Sequence, residues 1–156
     1  MLVLTFEIAG ARVALDVRQI REVVQFVQVQ RPSSGPPWLA GVFVYRGRMV
    51  PVIDLQRLVG GGECPSQLST RIILVPRGVA DDEELLGLLA PRVADVRDID
   101  PKTNAANCTA GPQEAGQPDL GPVLVENGAM LHLLDLDRLI PPPYRRQLAL
   151  TSEGSS

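Results

Sequence analysis

The chain has 156 residues, 45% of them hydrophobic, with a net charge of −3, which is enough apolar material for one globular domain or two small units sharing a core. Fourteen arginines against a single lysine, with no Lys/Arg-rich stripe, count against a nucleic-acid backbone as partner. Charge is nevertheless uneven, since residues 1–60 carry seven arginines against four acids, while 61–156 carry eight basic groups against fourteen acids.

In chain order, Leu2 to Ile8 and Arg12 to Val17 read as strands flanking Ala9-Gly10-Ala11, a hairpin signal. Ile20, Val23 and Val24 recur at helical spacing after Asp16 and predict at most two turns of helix. Phe26 to Gln30 alternates as a strand, Arg31 to Pro37 is a Pro/Ser/Gly loop, and Leu39 to Tyr45 with Arg48 to Ile53 form a second hairpin turning through Arg46-Gly47. Asp54 is placed to cap a short helix through Val59, which Gly60-Gly61-Gly62 ends.

The second half repeats this programme. VPVIDLQRL (50–58) aligns without gaps to LHLLDLDRL (131–139) at an offset of 81, and VALDVRQIREV (13–23) resembles LGLLAPRVADV (86–96) at an offset of 73. The difference falls in the polar stretch Asp100 to Pro122, read as a longer loop. Two related β-units, each too small to bury a good core alone, should pack together as a pair of small barrels. A second capping helix near Leu136 to Ile140 stops at Pro141-Pro142-Pro143, and 144–156 reads as a flexible C-terminal tail.

Cys64 and Cys108 lack a CxxC pattern or nearby histidine and read as inert thiols of a reducing compartment. The N-terminal run has no basic leader and is interrupted by Glu7 and Arg12 well short of a membrane span, so the expected location is cytoplasmic.

A search for chemistry finds no catalytic centre. His132, the single histidine, lies in an alternating run with no second ligand at metal spacing. Asp135 and Asp137 could do acid–base work, but their repeat counterparts Asp54 and Gln56 favour helix capping. Asp81 to Glu84 reads as a solvated run, and GGGEC (60–64) lacks the Lys-Ser/Thr of a phosphate loop. No catalytic, cofactor-binding or metal-binding residue is assigned. Binding remains, and five of the six aromatic residues, Phe6, Phe26, Trp38, Phe43 and Tyr45, lie in the first half, with none from 61 to 140. Trp38, after Pro36-Pro37, is read first as core or barrel plug.

GVFVYRGRMVPVIDLQRLVG (41–60) closely resembles the Gly-Val-Ile-Asn-Leu-Arg-Gly and Val-Val-Pro-Val-Ile-Asp-Leu-Arg signature of the CheW-like domain. The resemblance continues through FEIAGARVALDVRQIREVV, RPSSGPPWLAG, LLGLLAPRVADVRDI and MLHLLDLDRLI, five motifs in order over most of the chain. It implies an all-β fold with short helices: two tandem, SH3-like, five-stranded β-barrels in one domain over 1–143. The expected first barrel spans about 10–62, completed by strands from the chain ends, and the second about 63–134. It also implies a non-catalytic adaptor, needing no cofactor. Its partners would be the cytoplasmic tip of a methyl-accepting chemoreceptor and the regulatory domain of a CheA-type histidine kinase. The pathway would be swimming chemotaxis or a surface-sensing or second-messenger system.

The expected partner-binding residues are Ile20, Glu22, Arg46 and Gly47, which match the motif, with Val44 and Tyr45 just before Arg46. Ile20 would give an apolar contact to receptor helices, with Glu22 and Arg46 as the polar part. Val44 and Tyr45 stand where the family usually has Asn and Leu, and Ala90-Pro91 where it has Val-Asp, Pro91 suggesting an edge, bulge or bend. The residues alone leave two readings of Arg46-Gly47 open, a guanidinium held out for a carboxylate or helix end, or a soluble turn. The alternative function is a small-ligand module with its ligand between the barrels; an enzyme using His132, Asp135 and Asp137 is a third.

Overall fold

The computed structural model describes residues 1–26, 29, 35–60, 62, 64, 70–76, 85–100, 121–126 and 128–140; the Asp81 to Glu84 run, Cys108 and the expected tail lie outside them. Its strands are β1 (Leu2–Ile8), β2 (Ala11–Asp16), β3 (Glu22–Gln25), β4 (Leu39–Tyr45), β5 (Arg48–Asp54), β6 (Arg71–Pro76), β7 (Leu85–Ala90), β8 (Val96–Asp98), β9 (Val123–Glu126) and β10 (Ala129–Leu133). Two four-residue helices, α1 (Leu55–Leu58) and α2 (Leu136–Leu139), follow β5 and β10.

These strands make two five-stranded sheets, ordered β8-β1-β2-β10-β9 and β3-β6-β7-β5-β4. Replacing each of β1 to β5 by its repeat counterpart, β6 to β10, and the reverse, turns one order into the other. The internal repeat is therefore real, but its copies are interleaved. Each sheet takes its central hairpin from one copy and its three outer strands from the other. The break expected between residues 62 and 63 falls between β5 and β6, two strands of the same sheet.

The interleaving follows from two short crossings. After β2 a single 3-10 turn, Val17–Gln19, carries the chain to the other sheet, where Arg21 N–H donates to Leu74 C=O at 2.7 Å. After β7 the chain crosses back through Pro91 and Arg92, and Ala94 N–H donates to Thr5 C=O at 2.8 Å. Ile20 and Val93, at equivalent places in the two crossings, are partly buried against the layer between the sheets, and removing their apolar surface from water helps hold each crossing down. Pro91 thus sits where the strand ends and the chain bends away.

Three apolar clusters result. The largest lies between the sheets, with Leu4, Phe6, Ile8, Val13 and Leu15 from one and Leu39, Ile53, Ile73, Val75 and Leu88 from the other, closed by Leu55 and Leu139 of the helices. Trp38 is partly buried against it, in keeping with a core role. A second cluster, including Val50, Val52, Ile72, Leu74 and Leu89, fills the hollow of the β3–β7 sheet. A third, including Val3, Ala14, Ile99, Leu124 and Leu131, fills the other. In each sheet an ion pair joins the two edge strands or their turn, Glu22 to Arg46 and Arg97 to Glu126, so both sheets curl into small barrels. Gly87, at the centre of its sheet, is required by packing: a Cβ there would lie 3.0 Å from Ile72 Cγ2 and 3.1 Å from Val52 Cγ2.

Two local expectations fail. The helical spacing of Ile20, Val23 and Val24 yields only the 3-10 turn before β3, because Val24 fills the barrel while Val23 points outward. The strand expected to begin at Phe26 does not, since Phe26 lies just past β3 and is 37% exposed; residues 27, 28 and 30 of that expected strand lie outside the described residues.

Candidate partner-binding site

β4 and β5 pair antiparallel with Phe43 opposite Val50, Val44 opposite Met49 and Tyr45 opposite Arg48. Arg46 and Gly47 close the hairpin at φ +50° and +78°, both in the left-handed region that a two-residue type I′ turn demands. Gly47 meets this demand without strain. Arg46 does not, because an L-residue in that conformation brings Cβ toward the following carbonyl at a cost of about 1 kcal/mol. The hairpin has its support below the turn, where Asp54 is buried and accepts hydrogen bonds from the backbone N–H of Gln56, Arg57 and Cys64. Asp54 therefore both ends β5 and caps α1, as its position in the sequence suggests.

The side chains at the tip fall on two faces. Phe43 and Tyr45 pack against the barrel cluster, with ring centroids 6.4 Å apart. The Arg46 guanidinium lies over the Tyr45 ring, 5.2 Å from its centroid, and its Nη2 is 3.7 Å from Glu22 Oε2 on the opposite edge strand. The Arg46 and Glu22 side chains are 77% and 41% exposed. A cation so placed keeps donors free for a further acceptor, and its pairing with Glu22 is weak and salt-screened.

Val44 alternates to the other face, 68% exposed beside Met49. Ile20 is partly buried against the layer between the sheets. The structure thus brings Glu22, Tyr45, Arg46 and Gly47 together, and sets Val44 and Ile20 apart from them.

Neither Met49, in an apolar run that looks like core, nor Val23, read as part of a helical face, was assigned to the surface from the sequence; both are exposed. The repeat held a signal for Met49. Val44 and Met49 align at the same offset with Val125 and Met130, a second cross-strand pair that is also exposed.

The remaining chemistry-bearing residues stay apart. His132 lies in β10, and Asp135 precedes α2, where its carbonyl accepts from Leu139 N–H. Among the described residues no group of His, Cys, Asp or Glu is arranged to hold a metal ion. No helix of the described residues is long and apolar enough to cross a membrane.

Comparison with known proteins places this geometry in a family. The family model of the CheW-like domain matches residues 2–142. A chemotaxis protein CheW from Thermotoga maritima is 27% identical over 138 residues, covering 88% of this chain and 86% of the relative. A chemotaxis protein CheW from Bacillus subtilis is 29% identical over 72 residues, 46% of each chain. The crystal structure of the scaffolding protein TtCheW from Thermoanaerobacter tengcongensis superposes with a TM-score of 0.74 at 23% identity, covering 92% of this chain and 89% of that one. The fold is thus the pair of SH3-like barrels that the sequence resemblance implied. The chain belongs to the CheW-like domain family.

Proposed function

We propose that this chain is a non-catalytic adaptor that couples methyl-accepting chemoreceptors to a CheA-type histidine kinase in a chemosensory array. One observation carries the reading: the family match runs through both barrels, from residue 2 to residue 142. The Arg46 tip is the contact we assign to the receptor. It is a rigid hairpin end that holds an exposed guanidinium with free donors beside a weakly held carboxylate, suited to a carboxylate on a helical receptor tip. Ile20 adds an apolar contact at the crossing, and the kinase regulatory domain is the second partner. The chain would act on the cytoplasmic side of the membrane, reaching it through its receptor.

The small-ligand alternative is weakened by the layer between the sheets, which is filled with apolar side chains where a ligand would need space.

Titration calorimetry of the purified chain against a soluble receptor cytoplasmic fragment, and against the isolated kinase regulatory domain, tests the reading. Saturable binding to each is expected, with Arg46→Asp losing about tenfold or more in affinity for the receptor fragment while the thermal midpoint stays within about 2 °C of the wild type. If the chain binds neither partner, and kinase output in a reconstituted array is indifferent to it, the reading is wrong.

A further inference from the structure

We propose that Tyr45 is a positioning residue that restrains the Arg46 guanidinium, and so holds its outward N–H donors ready for a partner carboxylate. The inference deepens the reading of Arg46 as a partner contact and rests on it.

Three constraints meet at Arg46, and they differ in kind. The left-handed backbone fixes where the side chain starts but leaves its long stem free. The Glu22 carboxylate, 3.7 Å away between two exposed side chains, attracts the guanidinium only weakly, and salt screens it. The Tyr45 ring is itself held, since it packs against the barrel cluster and beside Phe43. A guanidinium over that ring gains cation–π attraction that needs no mobile partner. Of the three, the ring is therefore the constraint that persists at physiological ionic strength.

Its consequence is chemical. With the ring on one side of the cation, the N–H donors that point away from it stay available, and a guanidinium can offer two such donors to the two oxygens of a carboxylate. A partner carboxylate can replace Glu22 without lifting Arg46 from the ring, so the side chain's freedom is already restricted before binding. The resemblance noted above gives Leu as the usual residue at this place, and Leu offers no π face. The positioning is therefore a property of this chain's own sequence.

The test combines Tyr45→Leu, Tyr45→Phe and Arg46→Ala. In the free protein, side-chain NMR of the Arg46 Nε–H should show restricted motion in the wild type and in Tyr45→Phe, and freer motion in Tyr45→Leu. Calorimetry against the receptor fragment at 150 mM salt should show a loss of about two- to fivefold for Tyr45→Leu and none for Tyr45→Phe. In the Arg46→Ala background the Tyr45→Leu change should cost nothing further. Equal Arg46 mobility in wild type and Tyr45→Leu, or an undiminished Tyr45→Leu cost without Arg46, overturns the proposal. If no form binds the fragment, the reading of the partner fails, and the free-protein spectra still decide the role of Tyr45.

Discussion

The β4–β5 and β9–β10 hairpins are one piece of the repeat used twice, and they differ at their ends. Both expose a cross-strand Val–Met pair, Val44 with Met49 and Val125 with Met130. Both turns end on a glycine at φ +78°, Gly47 and Gly128. The residue before that glycine is Arg46 in one and Asn127 in the other. Asparagine is a residue such turns favour, whereas arginine gains nothing from the conformation. The seams differ in the same sense. Arg97 pairs with a Glu126 side chain that is only 12% exposed, and among the described residues Glu126's buried oxygens have no hydrogen-bond partner, so that charge leans on its arginine. Glu22 and Arg46 pair in solvent. One hairpin closes a barrel; the other closes a barrel and offers a cation.

The largest expected effect lies beneath the two hairpins. Asp54→Ala orphans three backbone donors around a buried carboxylate and should cost about 3 kcal/mol in urea unfolding. Asp135→Ala, at the equivalent but less buried place, should cost about 1 kcal/mol; equal losses would mean the two hairpin bases are alike.

Next come the seams. Arg97→Ala strands the Glu126 charge and should cost about 2 kcal/mol, against less than about 0.5 kcal/mol for Glu22→Gln. A Glu22→Gln variant as unstable as Arg97→Ala would show the exposed pair to be structural after all.

Arg46→Asn gives the first hairpin the turn dipeptide of the second. It should raise stability by about 0.5–1 kcal/mol by relieving the left-handed arginine while weakening receptor-fragment binding. A variant that loses stability, or binds as before, would erase the distinction between the hairpins.

The smallest effect concerns the first crossing. Asp16 accepts from Arg18 N–H and pairs with its guanidinium at 2.7 Å, and these bonds hold its carboxyl below the usual range. A depressed folded pKa stabilises above the unfolded value of about 4, and the gain is lost as pH falls through the folded one. Asp16→Asn should therefore unfold slightly earlier than wild type at pH 7, with the gap closing in acid.

Much of this was legible in the chain. The β4–β5 hairpin was expected over Leu39–Tyr45 and Arg48–Ile53, within one residue of its observed ends, because turn residues and β-branched runs act locally. The Asp54 cap was legible for the same reason. The outward face of Val44 was not. Both faces of these strands are buried along most of their length, one in the barrel and one between the sheets, so alternation cannot say which apolar residue emerges at the tip. The helical spacing after Asp16 misled because three residues crossing between sheets have no continuous face to present.

The sequence by itself determined the β4–β5 hairpin and its Arg46-Gly47 turn, the Asp54 cap and the repeat, all of which depend on neighbours along the chain. Only the tertiary structure decided that the copies interleave, with β3 pairing β6 and β10 pairing β2. It also decided that Arg46 meets Glu22 across the seam. Backbone conformation and polarity are written locally, whereas the choice of strand partner is set by which arrangement buries the layer between the sheets.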